Sequence, residues 1–183
     1  MNIYLRPIRE DDENLIVKWR NAPNVSMHCF NRDPITLEST IKFFHDHVET
    51  GHYRQYIVER MEETSGVVSY SIATVYLKDV DTANKRCELC IFTSDDEEWN
   101  TESQSIAIKM LLKIAFEELK MHKVYSHVFI KFEDEKKLLE SAGFEAEAVL
   151  KSEALGADGK YDDVYRMVIF ADEKTKCDPN SHF

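Results

Sequence analysis

Between Ser105 and Lys120 the residues Ile108, Leu111, Leu112, Ala115, Phe116 and Leu119 recur at the spacing of one helix face, and Ala107, Met110 and Ile114 widen that stripe. Only Lys109, Lys113, Glu117 and Lys120 mark a wet side. A helix that is apolar over more than half its circumference must pack deep against another layer. The chain supplies that layer before and after it. From Gln55 the apolar period changes to two, and Tyr56 to Met61, Val67 to Leu77 and Lys85 to Thr93 read as three strands of an antiparallel meander, turning at Gly66 and at Asp79 to Asn84. Beyond the helix, Lys123 to Ile130 reads as a strand and Asp134 to Ala142 as a short helix capped by Gly143-Phe144. Phe144 to Leu150 and Tyr161 to Phe170 form a closing hairpin.

The N-terminal third adds an edge strand, Ile3 to Arg9, where Pro7 is tolerated. A helix follows from the acids Glu10 to Glu13 as far as Asn21 and buries Leu15, Ile16 and Trp19. After a loop with Pro23 and Pro34, a second helix carries Leu37, Ile41, Phe44 and Val48 and stops at Gly51. The expectation is one α/β (α+β) domain over residues 1–170, with a mixed, mostly antiparallel sheet of about seven strands flanked by about four helices. Residues 171–183 form a polar C-terminal tail.

No apolar run approaches the ~20 residues of a membrane helix, and the N-terminus has no apolar stretch of signal-peptide length. A soluble, cytoplasmic protein with no membrane partner is expected. The net charge of −11 argues against a nucleic-acid partner, since such binding leans on Lys and Arg. The chain has 5 glycines, all in turns or caps, which leaves none for a phosphate-cradling loop. Cys87 and Cys90 lie three apart on one strand, so their thiols point to opposite faces and cannot share a metal. His45 and His47 are about 200° apart on a helix, which excludes a shared metal there too and makes His45 a packed helix residue. No metal site is expected. Tyr125 and His127 share a strand face as sheet neighbours or as the border of a cleft, and His28-Cys29 lacks the third partner of a nucleophile pair.

Four stretches, IYLRPIREDDENLIVKWRN, CELCIF, AIKMLLKIAFEEL and KVYSHVF…LLESAGFEAEAVL, resemble in order and spacing the GNAT superfamily of N-acetyltransferases, and within it the ribosomal-protein (Rim-type) branch. The resemblance covers residues 3–170. It implies direct transfer of an acetyl group from acetyl-CoA to a primary amine, in a ternary complex. The acceptor would be an amine-bearing small cationic molecule or a protein N-terminus. It also implies that the fourth strand at Ile91, Phe92 and Thr93 positions the pantetheine arm, and that the loop entering the central helix holds the pyrophosphate.

That family loop, Arg/Gln-x-x-Gly-x-Gly/Ala, falls on Trp99, Asn100, Thr101, Glu102, Ser103 and Gln104, where both glycines and the leading basic or amide residue are replaced. Glu102 and the preceding Asp95, Asp96, Glu97 and Glu98 oppose an anion. The donors left for a cofactor are Thr101, Ser103, Gln104 and Ser105 with the helix amides. Two positions of the family's catalytic helix also differ, a Tyr replaced by Leu139 and an Asn by Phe132. Glu88 remains. It lies where the resembling branch keeps a Glu on its fourth strand and shares a strand face with Cys90. As a partly buried carboxylate of raised pKa it would be the general base, directly or through water, and the other readings are a salt bridge with a neighbouring strand or a solvated strand residue. Two alternatives stay open at this point: a GNAT-fold module that binds without catalysis, and a homodimer formed through the sheet edge.

Overall fold

The computed structural model describes residues 2–63, 67–91, 94–156 and 158–171. Seven strands run β1 (Ile3–Pro7), β2 (Arg54–Glu63), β3 (Val67–Asp81), β4 (Arg86–Cys90), β5 (Lys123–Phe129), β6 (Glu145–Leu155) and β7 (Tyr161–Phe170). They form one sheet in the order β1-β2-β3-β4-β5-β7-β6, in which only β4 and β5 pair in parallel. The crossover between those two is the long apolar helix α4 (Thr101–Lys113), which ends in a π-helical turn, Ile114–Glu118. A parallel pair needs such a connection, whereas the antiparallel neighbours β3 and β4 are joined by a short turn over residues 82–85.

Strand parity divides the sheet into two faces. Ala73, Val75, Leu77, Cys87, Leu89, Ile91 and Val124 join Ile108, Leu111 and Leu112 of α4 in the main core. Leu138 and Leu139 of α5 (Glu133–Ser141) and Phe144 close that core. On the opposite face α1 (Glu13–Asn21) sets Ile16 and Trp19 against Ile8 and against Ile57 of β2. α3 (Leu37–Phe43) and its π-helical continuation Phe44–Val48 lie beside them.

The expected order of elements holds, with one addition: Pro23 opens a short helix α2 (Pro23–Ser26), where its missing N–H costs nothing at the first helical position. His45 is not packed as expected. It is exposed and pairs with Glu49 and Glu10. The expected turn at Gly66, the strand end at Phe92 and Thr93, and most of the C-terminal tail lie outside the described residues. Among the described residues no helix is long and apolar enough to cross a membrane, and no cluster could hold a metal ion.

Candidate active site

The parallel ladder between β4 and β5 is brief. It pairs Arg86 with Lys123, Cys87 with Val124 and Glu88 with Tyr125, and goes no further although β5 continues to Phe129. The last tie is sideways, from the Ser126 hydroxyl to the Leu89 carbonyl at 2.9 Å. Beyond it the strands part. A cavity of about 600 Å³ opens at this divergence, walled by Glu88 to Ile91, Ser126 and His127 on one side and by α1 and α3 on the other.

Glu88 is buried in that wall, and its carboxylate is doubly held. His127 Nδ1 lies 3.1 Å from Oε1, and Lys78 Nζ lies 3.2 Å from Oε2. Cross-strand register explains both partners: Lys78 of β3 sits opposite Glu88, and His127 sits two residues beyond Tyr125, on the same face. The raised pKa expected for Glu88 is not found. Burial pushes its carboxyl up, but the hydrogen bond with His127 and the charge of Lys78 offset this and hold it below the usual carboxylate range. Cys90, also in the wall, is kept protonated because burial raises its thiol well above the ordinary value. Cys87 points into the core on the other face, as strand alternation requires.

The loop before α4 is rebuilt around its own side chains. Trp99 is buried, and its indole Nε1 donates to the Ile91 carbonyl at 3.1 Å, so this tryptophan plugs the space beside β4. Asn100 caps the helix, its Oδ1 accepting from the amides of Glu102 at 3.0 Å and Ser103 at 3.4 Å. Ser103 was an expected cofactor donor, but it is fully buried. Its hydroxyl donates toward the carbonyls of Glu98 and Asn100 and accepts from the Asn100 amide, so it completes a capping box and turns away from any ligand. Thr101 and Gln104 line a smaller cavity of about 230 Å³ at the same helix end, together with Trp99, His28, Asp134 and Glu135. Gln104 also donates to the Trp99 carbonyl at 3.2 Å. Ser105 is half-buried and lines neither cavity. One of the loop acids, Glu98, is paired at 3.1 Å with Arg60 from β2.

His28 and Cys29 do not form a nucleophile pair. His28 is paired with Glu135 of α5 and stacks on Phe132, with ring centroids 4.0 Å apart. The Cys29 thiol is directed at the Val25 carbonyl, 3.6 Å away, and burial raises its pKa. Leu139, which stands where a phenol would be expected, is fully buried in the core and can transfer no proton.

These features can be tested against a thioester carrier with a long arm. The open slot along Leu89 to Ile91 suits an extended arm. The phosphate end is different, because the first-turn amides of Glu102 and Ser103 are already taken and Asp134 and Glu135 line the neighbouring cavity. The family resemblance points to Glu88, and strand alternation gives its face. Sequence reasoning does not assign His127 as the partner of Glu88, nor the inward fold of Trp99, because both depend on register between distant segments.

The chain matches the acetyltransferase (GNAT) domain family over residues 2–145. A spermidine N(1)-acetyltransferase of Vibrio cholerae serotype O1 is 24% identical over 167 residues, covering 91% of this chain and 92% of that protein. A crystal structure of spermidine N-acetyltransferase from Vibrio cholerae in complex with CoA and spermine superposes with a TM-score of 0.81 at 24% identity, covering 94% of this chain and 97% of that one. A dodecameric structure of the Vibrio cholerae enzyme in an intermediate state gives a TM-score of 0.77 at 23% identity, with 98% of both chains covered. At these identities the likeness to the solved structures establishes the shared fold.

Proposed function

Because the chain belongs to the acetyltransferase (GNAT) domain family, we propose that it is an acetyl-CoA-dependent N-acetyltransferase whose acceptor is a small cationic amine of the spermidine or spermine class. The observation that carries this reading is the Glu88–His127 pair in the wall of the cavity where β4 and β5 part. When bound, acetyl-CoA supplies the acetyl group as an activated thioester. The main chain at Leu89 to Ile91 would lie along its arm. Thr101 and Gln104, with Ser105 behind them, would stand at its phosphate end.

The residues of this chain then handle the amine and its proton. An amine must be neutral to attack, so a group in the cavity wall has to accept a proton. Glu88, held ionised by Lys78 and His127, is a weak proton acceptor by itself. In this reading it accepts the Nδ1–H of His127 and fixes that tautomer, which leaves the Nε2 lone pair to take the proton of the amine. The net charge of −11 favours approach of a polycation. The polyamine relatives support a small acceptor over the protein N-terminus that the Rim-type resemblance implied. A dodecameric relative supports self-association of this chain as well, which sedimentation would read out directly.

The deciding measurement is thiol release from acetyl-CoA with spermidine, spermine and a short peptide with a free N-terminus. Release with the polyamines is expected. Release with the peptide alone would favour the Rim-type assignment, and no release with any amine would overturn the reading.

A further inference from the structure

The large cavity has an end that the transfer chemistry leaves unused. Glu13, the first residue of α1, lines it beside Ile16, Ser39, Thr40 and Gln55. Glu13 is only 2% exposed, and its Oε2 is buried with no hydrogen-bond partner among the described residues. The polar groups around it are satisfied. The Gln55 amide donates to Thr74 Oγ1 at 3.0 Å, and the hydroxyls of Thr40 and Ser39 donate to the Thr36 carbonyl at 2.8 and 2.9 Å. Of the cations that share the cavity, Lys78 is engaged with Glu88, and Arg20 binds the Asn31 carbonyl through Nη2 while its Nη1 is buried without a partner among the described residues. A buried carboxylate oxygen without a partner costs free energy, and a cationic hydrogen-bond donor would remove that cost.

The placement of Glu13 selects the kind of donor. α1 packs over β2 through Ile16 and Ile57, whereas Glu88 stands on β4. β3 lies between them, so the two carboxylates are separated laterally by about two strand spacings, ~10 Å. Tyr53, Tyr76 and Phe43 line the same cavity, their rings 4.9 Å (Phe43–Tyr53) and 5.9 Å (Tyr53–Tyr76) apart. Such a wall suits methylene groups and tolerates a passing cation.

We propose that Glu13 is the receptor for a second, distal ammonium of the acceptor, so that the site selects a diamine or polyamine over a monoamine of similar length. The proposal rests on the acetyltransferase reading above and adds the residue that sets the substrate class. The ammonium donates to Glu13 while the reacting amine lies at the Glu88–His127 pair, and the aliphatic spacer runs along the aromatic wall.

The test compares kcat/KM for cadaverine and for pentylamine in the wild type, in Glu13→Gln and in Glu13→Asp. The ratio of diamine to monoamine is expected to fall about 10- to 100-fold in Glu13→Gln, the usual loss for one charge-assisted hydrogen bond, and to recover in part in Glu13→Asp. An unchanged ratio overturns the proposal. If the wild type releases no thiol with any amine, the activity reading fails on its own and calorimetric binding of cadaverine decides about Glu13. Binding that is lost in Glu13→Gln supports the receptor. Equal binding by both proteins, or none by the wild type, overturns it. A thermal melt of Glu13→Gln at pH 8, at or above that of the wild type, verifies the fold.

Discussion

The Glu88 carboxylate and the His127 imidazole meet across the parallel strands β4 and β5, Oε1 to Nδ1 at 3.1 Å, at the point where the pairing between those strands stops. Two strands that diverge cannot satisfy one another with backbone alone, and here side chains take over the connection. If the pair acts as a unit, Glu88→Gln and His127→Asn should each lower kcat by about 10²-fold or more. The double variant should then be little worse than either single one. Steady-state kinetics on the three proteins would give the coupling, and losses that multiply would mean independent roles.

Glu13 makes a prediction about stability that needs no substrate. Burial, followed by Asp12 and Glu10, pushes its carboxyl from 4.5 up to about 7, with His45 opposing. The folded state therefore holds the proton more tightly than the unfolded chain. The contribution of this group is fully present below pH 4.5 and is lost as pH rises through about 7. Glu13→Gln lacks that loss. Urea unfolding should show the variant gaining on the wild type by up to ~3 kcal/mol between pH 4.5 and pH 8. A constant difference across that range would contradict the shift.

At the start of α4, Glu102 places a carboxylate in the first helical turn. Removing one such charge changes the energy of an anion there by about 0.3–1 kcal/mol. Glu102→Gln should therefore lower the KM for acetyl-CoA by roughly 2- to 5-fold at low salt, and the gain should shrink as ionic strength rises. A salt-independent effect would point to a change in loop structure instead.

The cap of the same helix can be tested separately. Asn100→Ala removes the acceptor for two backbone amides and should cost about 1 kcal/mol of stability. Trp99→Ala should cost about 3–5 kcal/mol, because it leaves a void in the main core and an unpaired Ile91 carbonyl. Denaturant midpoints with unchanged slopes would give both values.

The sequence carries most of the architecture, because periodicity is a local property. The broad apolar stripe of α4, the meander of β2 to β4 and the parity of Cys87, Glu88 and Cys90 are all visible in short windows. What escapes is what tertiary register decides. Arg60 of β2 pairs with the loop acid Glu98, and Glu135 reaches back to His28. Glu13 looks like one more acid at a helix start until α1 and α3 bury it. Burial alone predicts a raised pKa for Glu88, but Lys78 and His127 arrive from β3 and β5 and reverse it.

Trp99 has a further consequence. The chain has two tryptophans, and the other, Trp19, is sealed in the small core under α1, only 2% exposed. The Trp99 indole sits just beyond β4, at the slot, through its hydrogen bond to Ile91. Intrinsic emission from this protein should shift when the slot is occupied. The molecule thus carries an optical reporter of carrier binding without any label.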